Sequence, residues 1–144
     1  MALASRIGAA AALAMLASQA HAQDANLTGS WQGVVQVQGV RVEFQLVVQP
    51  NGAYSETEAT GSLRTMQSGE IRQTAPGVVT FIVEDWQPRT MPTYHATGTT
   101  GGYYTQSLTS KPPGGTWALT WQGQNTVTLR DVNGGGAVTF TRVG

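Results

Sequence analysis

The chain has 144 residues, 40% of them hydrophobic and 11% charged, with 18 glycines and no cysteine; that length suits one domain with a modest core. Eight basic side chains balance eight acidic ones, so there is no positive excess to neutralise nucleic-acid phosphates or an anionic membrane, and neither partner is expected.

The first segment reads as an address. Arg6 precedes an apolar run over residues 7–17, and Ala20-His21-Ala22 has the small-x-small pattern of a signal-peptidase site. Residues 1–22 are therefore expected to be a cleaved export signal, with the domain over 23–144 in the periplasm or secreted. The run is shorter than the roughly 20 residues of a membrane-spanning helix, and no later stretch approaches that length, so no membrane insertion is expected. Without cysteine there is no lipid-attachment site and no disulfide, and stability must come from packing.

Strand signals follow. Trp31, Gly33, Val35 and Val37 alternate with mostly polar neighbours, and after Gln38-Gly39 the phase resumes as Val40, Val42, Phe44, Leu46 and Val48. If Val37 pairs with Val40, both stripes line one buried face of a hairpin. Pro50-Asn51-Gly52 makes the next reversal. If Val48 then pairs with Tyr54, the residues Tyr54, Glu56, Glu58 and Thr60 follow the interior phase; a bulge at Gly52 would instead turn both glutamates outward, with Thr57 and Ala59 inward. Either register fits the sequence.

Weaker strands are expected over 54–60, 63–66, 70–74 and near 103–108, and a run apolar on both faces covers 78–86. Residues 86–115 hold Pro88, Pro92, Pro112 and Pro113 around a glycine-rich centre and read as a long irregular connection, either a ligand lid or a plug. It carries Trp86, Tyr94, His95, Tyr103 and Tyr104 but only two cations, Arg89 and Lys111. Then come Trp117, Leu119 and Trp121 on one face, Val127 and Leu129 with Asp131 in phase, a turn at 133–136, and Val138, Phe140 and Arg142. The sum is eight or nine strands and no helix pattern. It predicts an all-β fold: a single antiparallel up-and-down barrel of about eight strands, or alternatively a β-sandwich.

Leu27-Thr28-Gly29-Ser30-Trp31 opens the first strand with a Gly-x-Trp element, and Arg142 lies on the apolar phase of the last. This pairing resembles lipocalins and related calycin barrels. The resemblance implies that Trp31 plugs the closed end and Arg142 packs over it, a cation–π contact worth about 0.5–2 kcal/mol; otherwise Trp31 is ordinary core and Arg142 a solvated terminal charge. The chain departs from lipocalins in its shorter length and in lacking a C-terminal helix and a middle-loop threonine-aspartate element. Avidin-type barrels share a Leu-x-Gly-x-Trp start, but no biotin-binding constellation aligns. A bacterial metalloprotease-inhibitor barrel starts similarly, yet normally carries a disulfide.

Motifs for chemistry are sparse. After the leader, His95 is the single histidine, so no histidine-rich metal site is expected, and no cofactor. No phosphate loop or nucleophile elbow is present. Glu56 and Glu58 suit acid/base work if they share a desolvated face, but an alternation of Glu and Thr is also an ordinary solvated strand, and no catalytic residues are assigned. The first expectation is therefore an exported barrel taking an apolar or aromatic small molecule at its open end. Its candidate ligand-binding residues are Tyr54, Glu56, Glu58, Trp86, Tyr94, His95, Tyr103, Tyr104, Trp117 and Trp121. The alternative is an interaction module or an inhibitor of an exported enzyme, presenting the 86–115 loop or residues 23–27 to a protein partner. Catalysis ranks third.

Overall fold

The period-two stripe that begins near Trp31 becomes the first of ten strands in the computed structural model, which describes residues 27–144. The expected export signal, and residues 23–26 of the N-terminal segment, lie outside the described residues. In chain order the strands are β1 (Gly29–Val37), β2 (Val40–Val48), β3 (Ala53–Thr60), β4 (Leu63–Ala75), β5 (Val78–Gln87), β6 (Thr90–Thr97), β7 (Gly101–Leu108), β8 (Thr116–Trp121), β9 (Thr126–Asp131) and β10 (Ala137–Arg142). Eight of them close into an antiparallel barrel in the order β1-β10-β9-β8-β5-β4-β3-β2, while β6 and β7 pair only with each other. The barrel is the architecture that the resemblance implies, and its closure replaces the sandwich alternative. Closure removes the free sheet edges that an open meander would leave. Among the described residues, no helix is long and apolar enough to cross a membrane.

Register explains which side chains point inward. Val37 pairs with Val40 around a turn in which Gln38 and Gly39 both have positive φ, and Val48 pairs with Tyr54. The second turn is tied by Gln49 N–H to the Ala53 carbonyl at 2.8 Å and by Ala53 N–H to Asn51 Oδ1 at 3.0 Å. Pairing then runs Leu46–Glu56 and Phe44–Glu58, so both glutamates take the interior phase and the bulge alternative is not adopted.

Two expectations change. The separate strands at 63–66 and 70–74 are one strand, β4, carried across an irregularity between Ser68 and Gly69. Gly69 lies so close to the Ile82 carbonyl that a Cβ there would collide with backbone, which is why a glycine occurs mid-strand. The second change is the 86–115 connection, which contains the β6–β7 hairpin and is not irregular throughout. Its Thr- and Tyr-rich arms suit strands, and residues 98–100 make the reversal.

The core is graded along the barrel. Trp31, Leu46, Val48, Tyr54, Val79, Phe81, Val127, Leu129 and Phe140 fill the end where the chain enters, with Leu27 folded beneath them. Toward the opposite end Phe44, Trp117 and Val138 are only half-buried although Val42 is buried, and Val37 and Val40 stand at the rim 54% and 49% exposed. One end is therefore packed and the other open.

Candidate functional site: an apolar chamber with a carboxylate at its neck

The closed end supplies a fixed floor. Trp31 is fully buried, pairs across the sheet with Arg142, and donates its indole N–H to the Leu27 carbonyl at 2.8 Å. The Arg142 guanidinium sits 4.2 Å from the Trp31 ring centroid and donates to the Thr28 and Gln124 carbonyls at 2.7 and 3.2 Å. Trp121 meets Trp31 edge-on, with centroids 5.8 Å apart. The cation–π contact expected of this pair is thus present, and it seals the end where three chain segments converge.

Above that floor the side chains do not fill the barrel. A chamber of about 80 Å³ is walled by Phe44, Phe81, Trp117, Leu129, Val138 and Phe140, with Glu56, Gln67 and Gly114 completing its lining. One water needs about 10–15 Å³, so this space holds a group several times larger. Gly114 is pressed against the Phe81 carbonyl, where any side chain would collide with backbone, and its own carbonyl accepts the Trp117 indole N–H at 3.0 Å. That close approach turns the Trp117 wall toward the chamber.

Glu56 and Gln67 form the neck. They stand opposite each other on β3 and β4, and Gln67 Nε2 donates to Glu56 Oε1 at 3.0 Å. Burial, with the Glu58 carboxylate nearby, pushes the Glu56 carboxyl up to about 7, against the lowering effect of the Gln67 hydrogen bond. Deeper along β3, the Tyr54 hydroxyl is buried without a hydrogen-bond partner among the described residues, and its ring meets Phe81 edge-on at 4.9 Å. Burial, then Glu56 and Glu84, push it up to about 12.

Outside the neck lies a mouth of about 190 Å³, shared by Glu56, Glu58 and Gln67 with Thr65, Met66, Trp86, Pro88, Met91, Thr109 and Pro112. Trp86 reaches it through a change of phase. Val79, Phe81 and Val83 alternate inward, but Gly69 pairs with Val83 and Ser68 with Asp85, leaving Glu84 as an extra residue. The next inward side chain is then Trp86, opposite Gln67. Its ring is fixed by the Arg89 guanidinium 3.6 Å from its centroid and by a hydrogen bond from its indole N–H to Thr109 Oγ1 at 3.1 Å. Thr109 donates in turn to the Pro88 carbonyl, and Arg89 pairs with Asp85 at 2.6 Å. These contacts strap the root of the hairpin across the mouth.

The structure therefore brings together Glu56, Glu58, Trp86 and Trp117 from the expected set. Tyr54 and Trp121 pack in the core toward the closed end and line neither space. Tyr94, His95, Tyr103 and Tyr104 stand on the hairpin beyond the mouth, in two ring pairs with centroids 5.1 Å apart: Tyr94 with Tyr104, and His95 stacked on Tyr103. Phe44, Phe81, Leu129, Val138 and Phe140 are site residues that the sequence assigns only to strands, and Gln67 falls between the two expected strands 63–66 and 70–74. Among the described residues, no three His, Asp or Glu side chains cluster closely enough to hold a metal ion.

No protein-family model matches this chain, and no curated protein matches it.

Proposed function

We infer that this chain is an exported lipocalin-like barrel that binds a small apolar or aromatic molecule at its open end, without a reaction step. The observation that carries the reading is the chamber: six apolar or aromatic walls around about 80 Å³, sharing Glu56 and Gln67 with a wider mouth outside it. Pockets of this kind, mostly apolar with a few convergent polar groups, are the usual anatomy of small-molecule sites, and barrel mouths are a common place for them. The floor built by Trp31, Trp121 and Arg142 stands at the barrel end opposite the mouth.

Native mass spectrometry of the protein recovered from the exported fraction of its own cells tests this. A stoichiometric small-molecule adduct, released on denaturation, is expected on a chain beginning at Gln23. A bare protein mass under gentle conditions overturns the binding reading, and a chain still carrying residues 1–22 overturns the location.

A second reading rests on the hairpin. Residues 90–108 contain no Asp, Glu, Lys or Arg, and Tyr104 and Leu108 are 70% and 87% exposed on it. Exposed apolar groups gathered on one element favour a protein-contact role. Its test is removal of residues 92–106, which keeps Met91 at the mouth: loss of a protein partner with small-molecule uptake intact supports it, and loss of uptake alone counts against it.

A further inference from the structure

Resting on the small-molecule reading above, we propose that the chamber's guest is a small amine, its apolar part held among the aromatic walls and its protonated nitrogen placed at the neck beside Glu56.

The argument is one of composition and geometry. Every wall of the chamber apart from its neck is apolar or a glycine, and four of those walls are aromatic rings: Phe44, Phe81, Trp117 and Phe140. Such a space takes the apolar part of a guest and favours a cation at its ring faces. The polar groups are confined to one side, where Glu56 and Gln67 divide chamber from mouth and Glu58 follows one step outward on the same strand face. No Lys, Arg or His lines either space. Gln67 occupies one Glu56 oxygen, and no other hydrogen bond to that carboxylate is present among the described residues.

Three kinds of guest can be compared. A carboxylate-bearing molecule would meet two acidic side chains, and the cation beside the mouth, Arg89, is already paired with Asp85. A purely apolar one would fill the chamber but leave the Glu56 carboxylate desolvated and unpaired whenever it ionises, an unfavourable state in a dry site. An ammonium group supplies the missing donors and the opposite charge at the one place where they are lacking, through a charge-assisted hydrogen bond. The elevated carboxyl of Glu56 fits the same picture, because an unpaired buried carboxylate resists ionisation until a cation arrives.

Uptake of such a guest is coupled to proton release. Glu58 and Tyr54 flank Glu56 on β3, and Glu84 of β5 acts on Tyr54. Phe44 from β2, Gln67 from β4, Trp117 from β8, Leu129 from β9 and Phe140 from β10 are all uncharged. Near pH 7 part of the Glu56 population is protonated, and binding a cation drives that proton off, so affinity rises with pH through this range.

The experiment is calorimetry on the purified protein with three probes of one shape: 2-phenylethylammonium, propylbenzene and 3-phenylpropanoate. The same three are repeated with isopropyl in place of phenyl, so that ring size does not decide the result. The expected outcome is that an ammonium probe binds more tightly than both counterparts by about tenfold or more. It should release a fraction of a proton at pH 7, seen as a dependence of the heat on the buffer. Glu56→Gln, which keeps the shape, should erase both the preference and the proton release while still binding propylbenzene or its isopropyl analogue.

If a neutral or carboxylate probe binds as tightly as the ammonium, the chamber takes small molecules but the amine inference is wrong. An ammonium preference that survives Glu56→Gln also overturns it, since the cation then sits elsewhere. If none of the six binds, the inference falls together with the small-molecule reading.

Discussion

Gln67 stands directly across the sheet from Glu56 and donates a 3.0 Å hydrogen bond to it, so the one carboxylate in the chamber wall is held in place by a neutral amide. A neutral partner orients the carboxylate without offsetting its charge. The consequence is a stability cost that depends on pH.

Glu56 rises from 4.5 to about 7 on folding, so the folded state holds its proton more tightly than the unfolded chain. The stability from this group is full below pH 4.5 and is lost as pH rises to about 7. The whole swing is about 3 kcal/mol at most. Glu56→Gln should therefore raise the denaturation midpoint at pH 8, leave it nearly unchanged at pH 4, and flatten the profile between. Urea titrations across that range check this, and an equal effect at both ends would show that Glu56 is not desolvated.

At the closed end, Trp31→Ala removes a fully buried ring and should destabilise by about 3–5 kcal/mol, measured by denaturant unfolding. Arg142→Met keeps an apolar stem over Trp31 but loses the cation and its bonds to the Thr28 and Gln124 carbonyls. A smaller loss of about 1–2 kcal/mol is expected. Reversal of this order would mean that the arginine, rather than the indole, is what closes the barrel.

Filling the chamber separates binding from folding. Val138 lies on its wall and is only half-buried, so Val138→Phe has space to enter. Small-molecule uptake should be abolished, while the unfolding free energy stays within about 1 kcal/mol of the parent; in a fully packed interior the same change costs about 1–3 kcal/mol. A large destabilisation with binding retained would show that the guest sits outside this space.

On the hairpin, Tyr104→Ser with Leu108→Ser alters side chains that are 70% and 87% exposed and line neither chamber nor mouth. Stability should change by no more than about 0.5 kcal/mol per site. Uptake of a small molecule, followed by tryptophan fluorescence, should not change. A loss of uptake would place the ligand against the hairpin instead of within the barrel.

Short-range pairing was legible in the sequence wherever a tight turn joins two alternating stripes. Val37 with Val40 follows from one such turn, and Val48 with Tyr54 from another, which carries Glu56 and Glu58 to the interior phase once Gly52 is absorbed in the turn. The same rule, applied to Gly61-Ser62, would have paired Thr60 with Leu63 and so set Gln67 against Glu56. Trp86 was not legible in this way, because the extra residue at Glu84 reverses the phase of β5 and leaves a strand that looks apolar on both faces. The walls Phe44, Phe81, Leu129, Val138 and Phe140 were recognisable as interior but not as unfilled. A void depends on how side chains from strands distant in sequence meet, and alternation carries no information about that.

The wall of the barrel is uneven in its stitching. β1 and β2 pair along their full length, from Gly29–Val48 to Val37–Val40, whereas the paired rungs of β5 and β8 run from Val78–Ala118 to Thr80–Thr116, with backbone bonds Leu119–Gly77 and Phe81–Gly115 at their ends, and those of β1 and β10 from Trp31–Arg142 to Gly33–Phe140, with Val143–Ser30 beyond. Those two short seams divide the cylinder into a five-stranded leaf, β1 to β5, and a three-stranded leaf, β8 to β10. Phe44, Glu56, Gln67 and Phe81 belong to the first leaf, and Trp117, Leu129, Val138 and Phe140 to the second. The space between them thus lies where two well-laddered sheets face each other and are joined by few rungs.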